Sequence, residues 1–438
     1  MWTYLPELLD RPVPRYTSYP TAMEFSDAVG AGDFVAALDD VAQGTPISLY
    51  VHIPFCEQIC WYCGCNTGAA GRKQRLSDYL DALKREITMV ARRLGGRGKV
   101  QRIAFGGGSP NAIAPVEFIR LLDHIITIFD AGQPNISVEL DPRGFTPEWS
   151  MALSAAGVDR VSLGVQTFAA HVQQRIGRIQ PKADIEDAVA SLRSHGIEQV
   201  NFDLMFGLPG QSLTDLDDTL SQTIDLAPSR ISLFGYAHLP ALLPRQRRID
   251  GSNLPDHELR FRQAHRGYQR LTEAGYQAIG FDHFARPEDA LAKASMRGKV
   301  RRNFQGFTED QSDVLIGFGA SAISQFSRLI CQNEKRVGVY RDRVNARDWA
   351  AERGVKISAD DQQRGEIIRG ILCQGRAKIP HAMLYSARDA LVKYEVHGLM
   401  MWRQNELILP SYALPYARLI AAEFDRLRGN VTSEYQMA

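Results

Sequence analysis

Four cysteines crowd into ten residues, Cys56, Cys60, Cys63 and Cys65, in the run CEQICWYCGC. Thiolates at that density bind metal or exchange disulfides, so three chemistries compete. A structural zinc site wants four tetrahedral ligands, usually delivered as two separated pairs, and this chain has no second pair. A dithiol site would use Cys60-Trp61-Tyr62-Cys63 as a C-x-x-C, which leaves Cys56 and Cys65 without a role. An iron–sulfur cluster fits better. Closely spaced thiolates on one loop hold such clusters, and three ligands on a four-iron cube leave one iron open to a substrate or cofactor. Phe55, Trp61 and Tyr62 offer an aromatic wall against water. Cys331 and Cys373 sit alone in apolar runs and read as small buried hydrophobes.

The cysteine loop follows an apolar, β-prone run, and five more such runs come after it. They are ISLYVHIP (47–54), RIAF (102–105), ISVEL (136–140), RVSLGV (160–165), VNFDLMF (200–206) and RISLFGY (230–236). Helix-patterned stretches separate them, at 76–94, 115–129 and 212–227 among others. Alternating strand and helix predicts a parallel α/β sheet, as a six-unit open barrel or a doubly wound sheet. Nearly every run ends in a polar or glycine-rich tip: His52, Gly106–Ser109, Glu139 with Asp141, Gln166, Asp203, and Tyr236 with His238. In parallel α/β folds the C-terminal strand ends share one side, and that side hosts the chemistry. Six tips in register point to one shared site.

Composition sets the outer bounds. The 438 residues are 45% apolar and 23% charged, and 51 Lys+Arg nearly cancel 50 Asp+Glu. That balance gives no hint of a nucleic-acid or anionic-membrane partner. A basic segment leading into a clean apolar stretch is missing at the N-terminus, and no apolar run is long enough to span a bilayer. A reducing cytoplasm is the expected compartment. Residues 1–45 are expected to form an extended N-terminal arm, 46–350 the main α/β domain and its extension, and 351–438 a small, mostly helical C-terminal domain.

Cys-x3-Cys-x2-Cys after a strand resembles the radical S-adenosylmethionine (SAM) superfamily. PRYTSYPTA (14–22), YVHIPFC (50–56), GVQTF (164–168), NFDLMFGLPGQ (201–211), RNFQGFT (302–308) and GFGASAIS (317–324) narrow the resemblance. They are similar to the oxygen-independent coproporphyrinogen III oxidase family, over almost the whole chain. The resemblance implies an open (β/α)6-type parallel barrel. Cys56, Cys60 and Cys63 would bind a [4Fe-4S] cluster, and SAM would be cleaved there to a 5′-deoxyadenosyl radical. Two propionates of coproporphyrinogen III would be oxidatively decarboxylated to vinyl groups.

By motif, Tyr50, Gly107, Glu139 and Ile323 match contacts to cluster-bound SAM. Tyr62, Gly108, Ser109, Gln166, Arg178, Asp203 and Ala237 match contacts to a second SAM, two per site. Tyr50 and Cys65 are the candidate catalytic residues, Cys65 being the fourth cysteine that marks this branch. Arg15 and the stretch Arg297, Lys299, Arg301 and Arg302 are candidates for substrate carboxylates. Tyr16, Tyr19, Phe284 and Phe304 are candidates for stacking on a pyrrole, with core packing expected for the phenylalanines. Asn111 departs from the usual GGGTPT pattern with no evident consequence. The implied partners are coproporphyrinogen III and a low-potential donor such as flavodoxin or ferredoxin, acting on a monomer. The alternatives are a heme chaperone of the same superfamily, or another radical SAM reaction on a tetrapyrrole such as heme degradation or methyl transfer.

Overall fold

The computed structural model describes residues 2–428 apart from 10, 12 and 72. The end of the expected C-terminal domain, 429–438, and Pro12 of the arm lie outside the described residues. One twelve-stranded sheet dominates. Its strands in chain order are β1 (Thr45–Ile53), β2 (Gly98–Gly107), β3 (Asn135–Leu140), β4 (Arg160–Gln166), β5 (Gln199–Phe206), β6 (Arg230–Gly235), β7 (Gln277–Ile279), β8 (His283–Ala285), β9 (Val314–Phe318), β10 (Ile323–Phe326), β11 (Leu329–Asn333) and β12 (Ala351–Lys356). In space they run β12-β11-β10-β9-β1-β2-β3-β4-β5-β6-β8-β7. Strands β9 and β1 to β6 are parallel, and the rest pair antiparallel at the two edges.

The six expected runs are therefore strands, and β9 adds a seventh parallel one. Helices Lys73–Leu94, Pro115–Phe129, Lys182–Ser194 and Leu213–Leu226 cover one face. Their starts are locally encoded: Ser212 and Asp215 form a reciprocal capping box, and Pro115 opens its helix. Strand residues alternate strictly between the faces. Ile47, Leu49, Val51 and Ile53 of β1, like Val161, Leu163 and Val165 of β4, enter the helix-covered core. The opposite face carries Ser48, Tyr50 and His52, then Glu139, Ser162, Asn201, Asp203 and Ser232. Polar side chains thus line the inner face along its length, beyond the tips that the sequence pattern marks.

The N-terminal end of that inner face is closed by ion pairs. Arg102 meets Glu309 at 3.0 Å and Asp310 at 3.8 Å. Arg230 meets Asp289 at 2.7 Å and Glu309 at 3.0 Å, and Arg160 meets Asp289 at 2.7 Å. Despite burial, Arg230 and Arg102 hold the Glu309 carboxyl down to about 2.

Two expected boundaries move. Helix Ala31–Asp39 buries Phe34 and Leu38 in the main core, so only the first part of the 1–45 segment behaves as an arm. That part is not free. Leu8, Val13 and Tyr16 share a second core with the C-terminal helices. Strand β12 pairs with β11, so a cut at 350 would split the main sheet. Beyond β12 lies a small region of helices Ala359–Gln374, His381–Val396 and Ala417–Ala422 with a three-stranded sheet. No helix among the described residues is long and apolar enough to cross a membrane.

Candidate active site

The cysteine loop lacks regular structure but is anchored at several points. Phe55–Cys56 pairs with Gly68–Ala69 and closes its base. Trp61 N donates to Ile176 O at 3.0 Å. The Trp61 and Tyr62 rings pack on Val172, Ile176, Leu208 and Tyr236. Buried Gln246 donates to Tyr62 O at 2.8 Å and to Ala237 O at 3.1 Å, tying the loop to the end of β6. Arg245 reaches Thr67 Oγ1 at 2.8 Å.

Charge gathers on one thiol. Cys60 Sγ accepts from Arg178 Nη1 at 3.2 Å and from Arg143 Nη2 at 3.3 Å. Asp141 holds both guanidinium groups, Arg178 Nη2 at 3.1 Å and Arg143 Nε at 3.0 Å. Burial pushes the Asp141 carboxyl up, yet Arg178 and Arg143 outweigh it and hold the group below the ordinary range. The Cys56 thiol is pushed up to about 12, by burial first and then by Cys63 and Cys60. Cys63 is held down to about 6, chiefly by a hydrogen bond from Cys65. The Cys65 backbone N–H also points at Cys63 Sγ, at 3.4 Å.

Among the described residues, no three or more His, Cys, Asp or Glu converge on a single-ion site. The two guanidinium groups beside Cys60 suit the anionic sulfur of a polynuclear cluster.

The strand ends complete the rim. Tyr50 is buried, its hydroxyl 3.3 Å from His52 Nδ1 and its ring edge-on to Phe304 at 4.6 Å. Burial pushes its phenol well up, so it stays protonated, and lowers His52 to about 4. Burial and then Asp203 raise Glu139 to about 7, against hydrogen bonds from Gly107 N and Gln305. Asp203 accepts from Asn201 Nδ2 at 2.9 Å and Ser162 Oγ at 3.3 Å. Gln166 takes a left-handed φ of 65°, an unusual conformation for a residue with a side chain, where β4 ends in a register shift.

The glycine segment is close-fitted. Gly107 has φ 111°, and a Cβ there would lie 2.5 Å from the His52 ring; one at Gly108 would lie 2.4 Å from Phe55 O. Ser109 faces inward to the protein, donating to Asn111 Oδ1 and accepting from Asp141 N at 3.0 Å. Asn111 in turn donates to Asp141 O at 2.9 Å. The Asn111 departure thus has a consequence: it fixes the residue that positions Arg143 and Arg178. Ile323 opens β10, its backbone against Gly317, the partner of Tyr50 across β9 and β1.

The radical SAM superfamily matches residues 50–222. The oxygen-independent coproporphyrinogen III oxidase of Bradyrhizobium diazoefficiens is 41% identical over 424 residues, covering 94% of both chains. The chain belongs to the oxygen-independent coproporphyrinogen III oxidase family. Another family member, from Escherichia coli K12, is 38% identical over 83% of this chain and 79% of its own. The solved structure of coproporphyrinogen III oxidase from Escherichia coli superposes with a TM-score of 0.90 at 34% identity, covering 97% of this chain and 99% of that one. Radical SAM membership brings a [4Fe-4S] cluster and SAM as cofactors.

For this coproporphyrinogen oxidase family member, the sequence-marked residues share one rim, with exceptions among the substrate candidates. Arg297 and Lys299 lie on the exposed surface. Arg301 pairs with Asp313 at 3.0 Å. Arg302 stacks between Phe281 and Phe307, 4.8 and 4.4 Å from their ring centres. Tyr16 is buried and donates to Asp425 at 2.9 Å, and the half-buried Tyr19 accepts from Arg426 N at 3.2 Å through its hydroxyl. Phe284 is core, as expected. Phe304 is not simply core, since it covers Tyr50. Arg143, Gln246 and Gln305 belong to the site without having been marked. Arg143 lies two residues past the Asp141 tip, and that proximity was the available signal.

Proposed function

We propose that the protein converts coproporphyrinogen III to protoporphyrinogen IX without oxygen, by oxidative decarboxylation of two propionate side chains to vinyl groups. The observation that carries this reading is the near full-length likeness to coproporphyrinogen III oxidases, arm and C-terminal region included. When bound, the cluster and SAM would supply a 5′-deoxyadenosyl radical that takes a hydrogen atom from the propionate, and loss of carbon dioxide and of one electron to an acceptor would then leave the vinyl group.

Cys56, Cys60 and Cys63 hold the cluster. Arg143 and Arg178 offset negative charge beside Cys60. Glu139, Tyr50, Gly107 and Ile323 hold the SAM at the cluster. Glu139, titrating at about 7, accepts from an ammonium group when ionised, while Tyr50 stays a donor. Tyr62, Gly108, Ser109, Gln166, Arg178, Asp203 and Ala237 frame a second SAM. Arg178 and Ser109 act there through neighbours, because their polar atoms already serve Asp141, Cys60 and Asn111. Cys65, against Cys63, adjusts that ligand. A low-potential flavodoxin or ferredoxin supplies electrons to a cytoplasmic monomer.

The test is anaerobic. Reconstituted protein with SAM, a low-potential reductant and coproporphyrinogen III should yield protoporphyrinogen IX by mass spectrometry. SAM cleavage without vinyl product would sink the substrate assignment. A stable heme complex without turnover would favour a chaperone.

A further inference from the structure

A cavity of about 420 Å3 opens beside the rim, between the N-terminal arm, the ends of β5 and β6, and the C-terminal helices. It is within the usual size of ligand pockets, roughly 300–1,000 Å3. Its inner wall is the strand-end run that includes Phe234, Tyr236 and His238, which flanks Ala237, so the cavity adjoins the rim site. Aromatic rings of Phe206, Phe261 and Phe281 add flat apolar surface.

The charge in it is lopsided. Arg11, Arg15, Arg260 and Arg418 line it against one carboxylate, Asp282. Asp282 is already engaged by His283 at 2.7 Å and Arg302 at 3.7 Å. The Arg418 guanidinium rests on the Phe281 ring at 5.3 Å, and the carboxylate that attracts it, Asp282, is shared with Arg302 and Arg15. Arg15 spends one nitrogen on Gly235 O at 3.0 Å, and Arg260 two, on Tyr236 O at 2.6 Å and on Gly207 O at 3.5 Å. Burial, then repulsion from Arg15, lowers both Arg260 and Arg418 to about 10. Gathering like charges in an apolar cavity is costly unless an anion pairs them. An uncharged or cationic ligand would leave that cost in place. A flat apolar ring bearing several carboxylates removes it, because each carboxylate can pair with a guanidinium charge and accept from the N–H donors still free.

We propose that this cavity binds the substrate's non-reacting carboxylates through Arg15, Arg260 and Arg418, which leaves the reacting propionate at the rim; the proposal rests on the porphyrinogen reading above. The test titrates anaerobic holoenzyme with coproporphyrin III, the stable oxidised tetracarboxylate, and with its tetramethyl ester, following porphyrin fluorescence. The acid should bind far more tightly than the ester. Arg418→Gln and Arg15→Gln should each weaken it by about tenfold or more, the scale of a lost charged hydrogen bond. Arg418→Lys should fall between wild type and Arg418→Gln, since the charge remains while the planar donor set and its stacking on Phe281 are lost. Iron content and melting temperature report folding. If Arg418→Gln does not fold, Arg15→Gln and Arg418→Lys against the ester decide. Equal binding of acid and ester, or glutamine variants that bind like wild type, would overturn the cavity assignment while turnover persists. Wild type that neither binds the acid nor converts coproporphyrinogen III would overturn the reaction itself.

Discussion

The two ends of the parallel sheet both carry buried charge, and they handle it in opposite ways. At the N-terminal end, Arg102, Arg160 and Arg230 are matched by Glu309, Asp289 and Asp310 within the protein. At the C-terminal end, thiols gather beside two guanidinium groups, and Glu139 and Asp203 repel each other across the inner face. Two glutamates make the contrast sharp. Glu309 is held down to about 2 although burial opposes it, and Glu139 is pushed up to about 7 by burial. Self-matched charge closes the floor of the molecule, and charge left without a full complement marks where a ligand completes the balance.

Substitutions at each end can break this contrast. The largest effect belongs to the rim. Cys60→Ala should remove bound iron and all activity, while Cys65→Ala should keep its iron; iron analysis after anaerobic reconstitution checks both. On the floor, Asp289→Ala leaves Arg160 and Arg230 short of a partner and should destabilise the fold by about 3–5 kcal/mol in denaturant titrations.

The glutamates predict opposite pH responses of the metal-free protein. For Glu309 the folded value lies below the unfolded one, so its stabilisation is present above about pH 4.5 and lost as pH falls towards 2. For Glu139 the folded value lies above it, so stability is lost as pH rises from about 4.5 through 7. Glu139→Gln should flatten that decline, and Glu309→Gln should cost about 1–3 kcal/mol at pH 7. Parallel slopes for both variants would collapse the contrast. The smallest effect is expected at the exposed Arg297, where Ala should change stability by less than about 0.5 kcal/mol.

The parallel strands were legible where an apolar run is long. ISLYVHIP and VNFDLMF are strands, and their tips converge. Strand β9 escaped because it lies beyond the strand–helix alternation, among short edge strands whose pairing is nonlocal. The inner face escaped because Ser48, Asn201 and Ser232 each look like a polar break in an apolar run, and only strand register aligns them into one lining. At the site, the thiols and Glu139 could be read from residue type. The Asp141–Arg143–Arg178 assembly could not, since its members are ordinary charges until the loops after β3 and β4 meet. Gln246 is clearer still: nothing local marks a glutamine that joins Tyr62 to Ala237, 184 and 9 residues away.

The joining of arm and C-terminal helices also sets an order of assembly. Leu5 N donates to Tyr416 OH across 411 residues, and Tyr416 OH donates to Thr3 O. During synthesis from the N-terminus, every thiol of the loop and every inward-facing strand residue exists well before Tyr416 and Arg418. The parallel sheet can close its floor and present its cysteines while the arm still waits for its docking partner. The aromatic cavity beside the rim is thus walled only once Arg418 and Leu419 have been made.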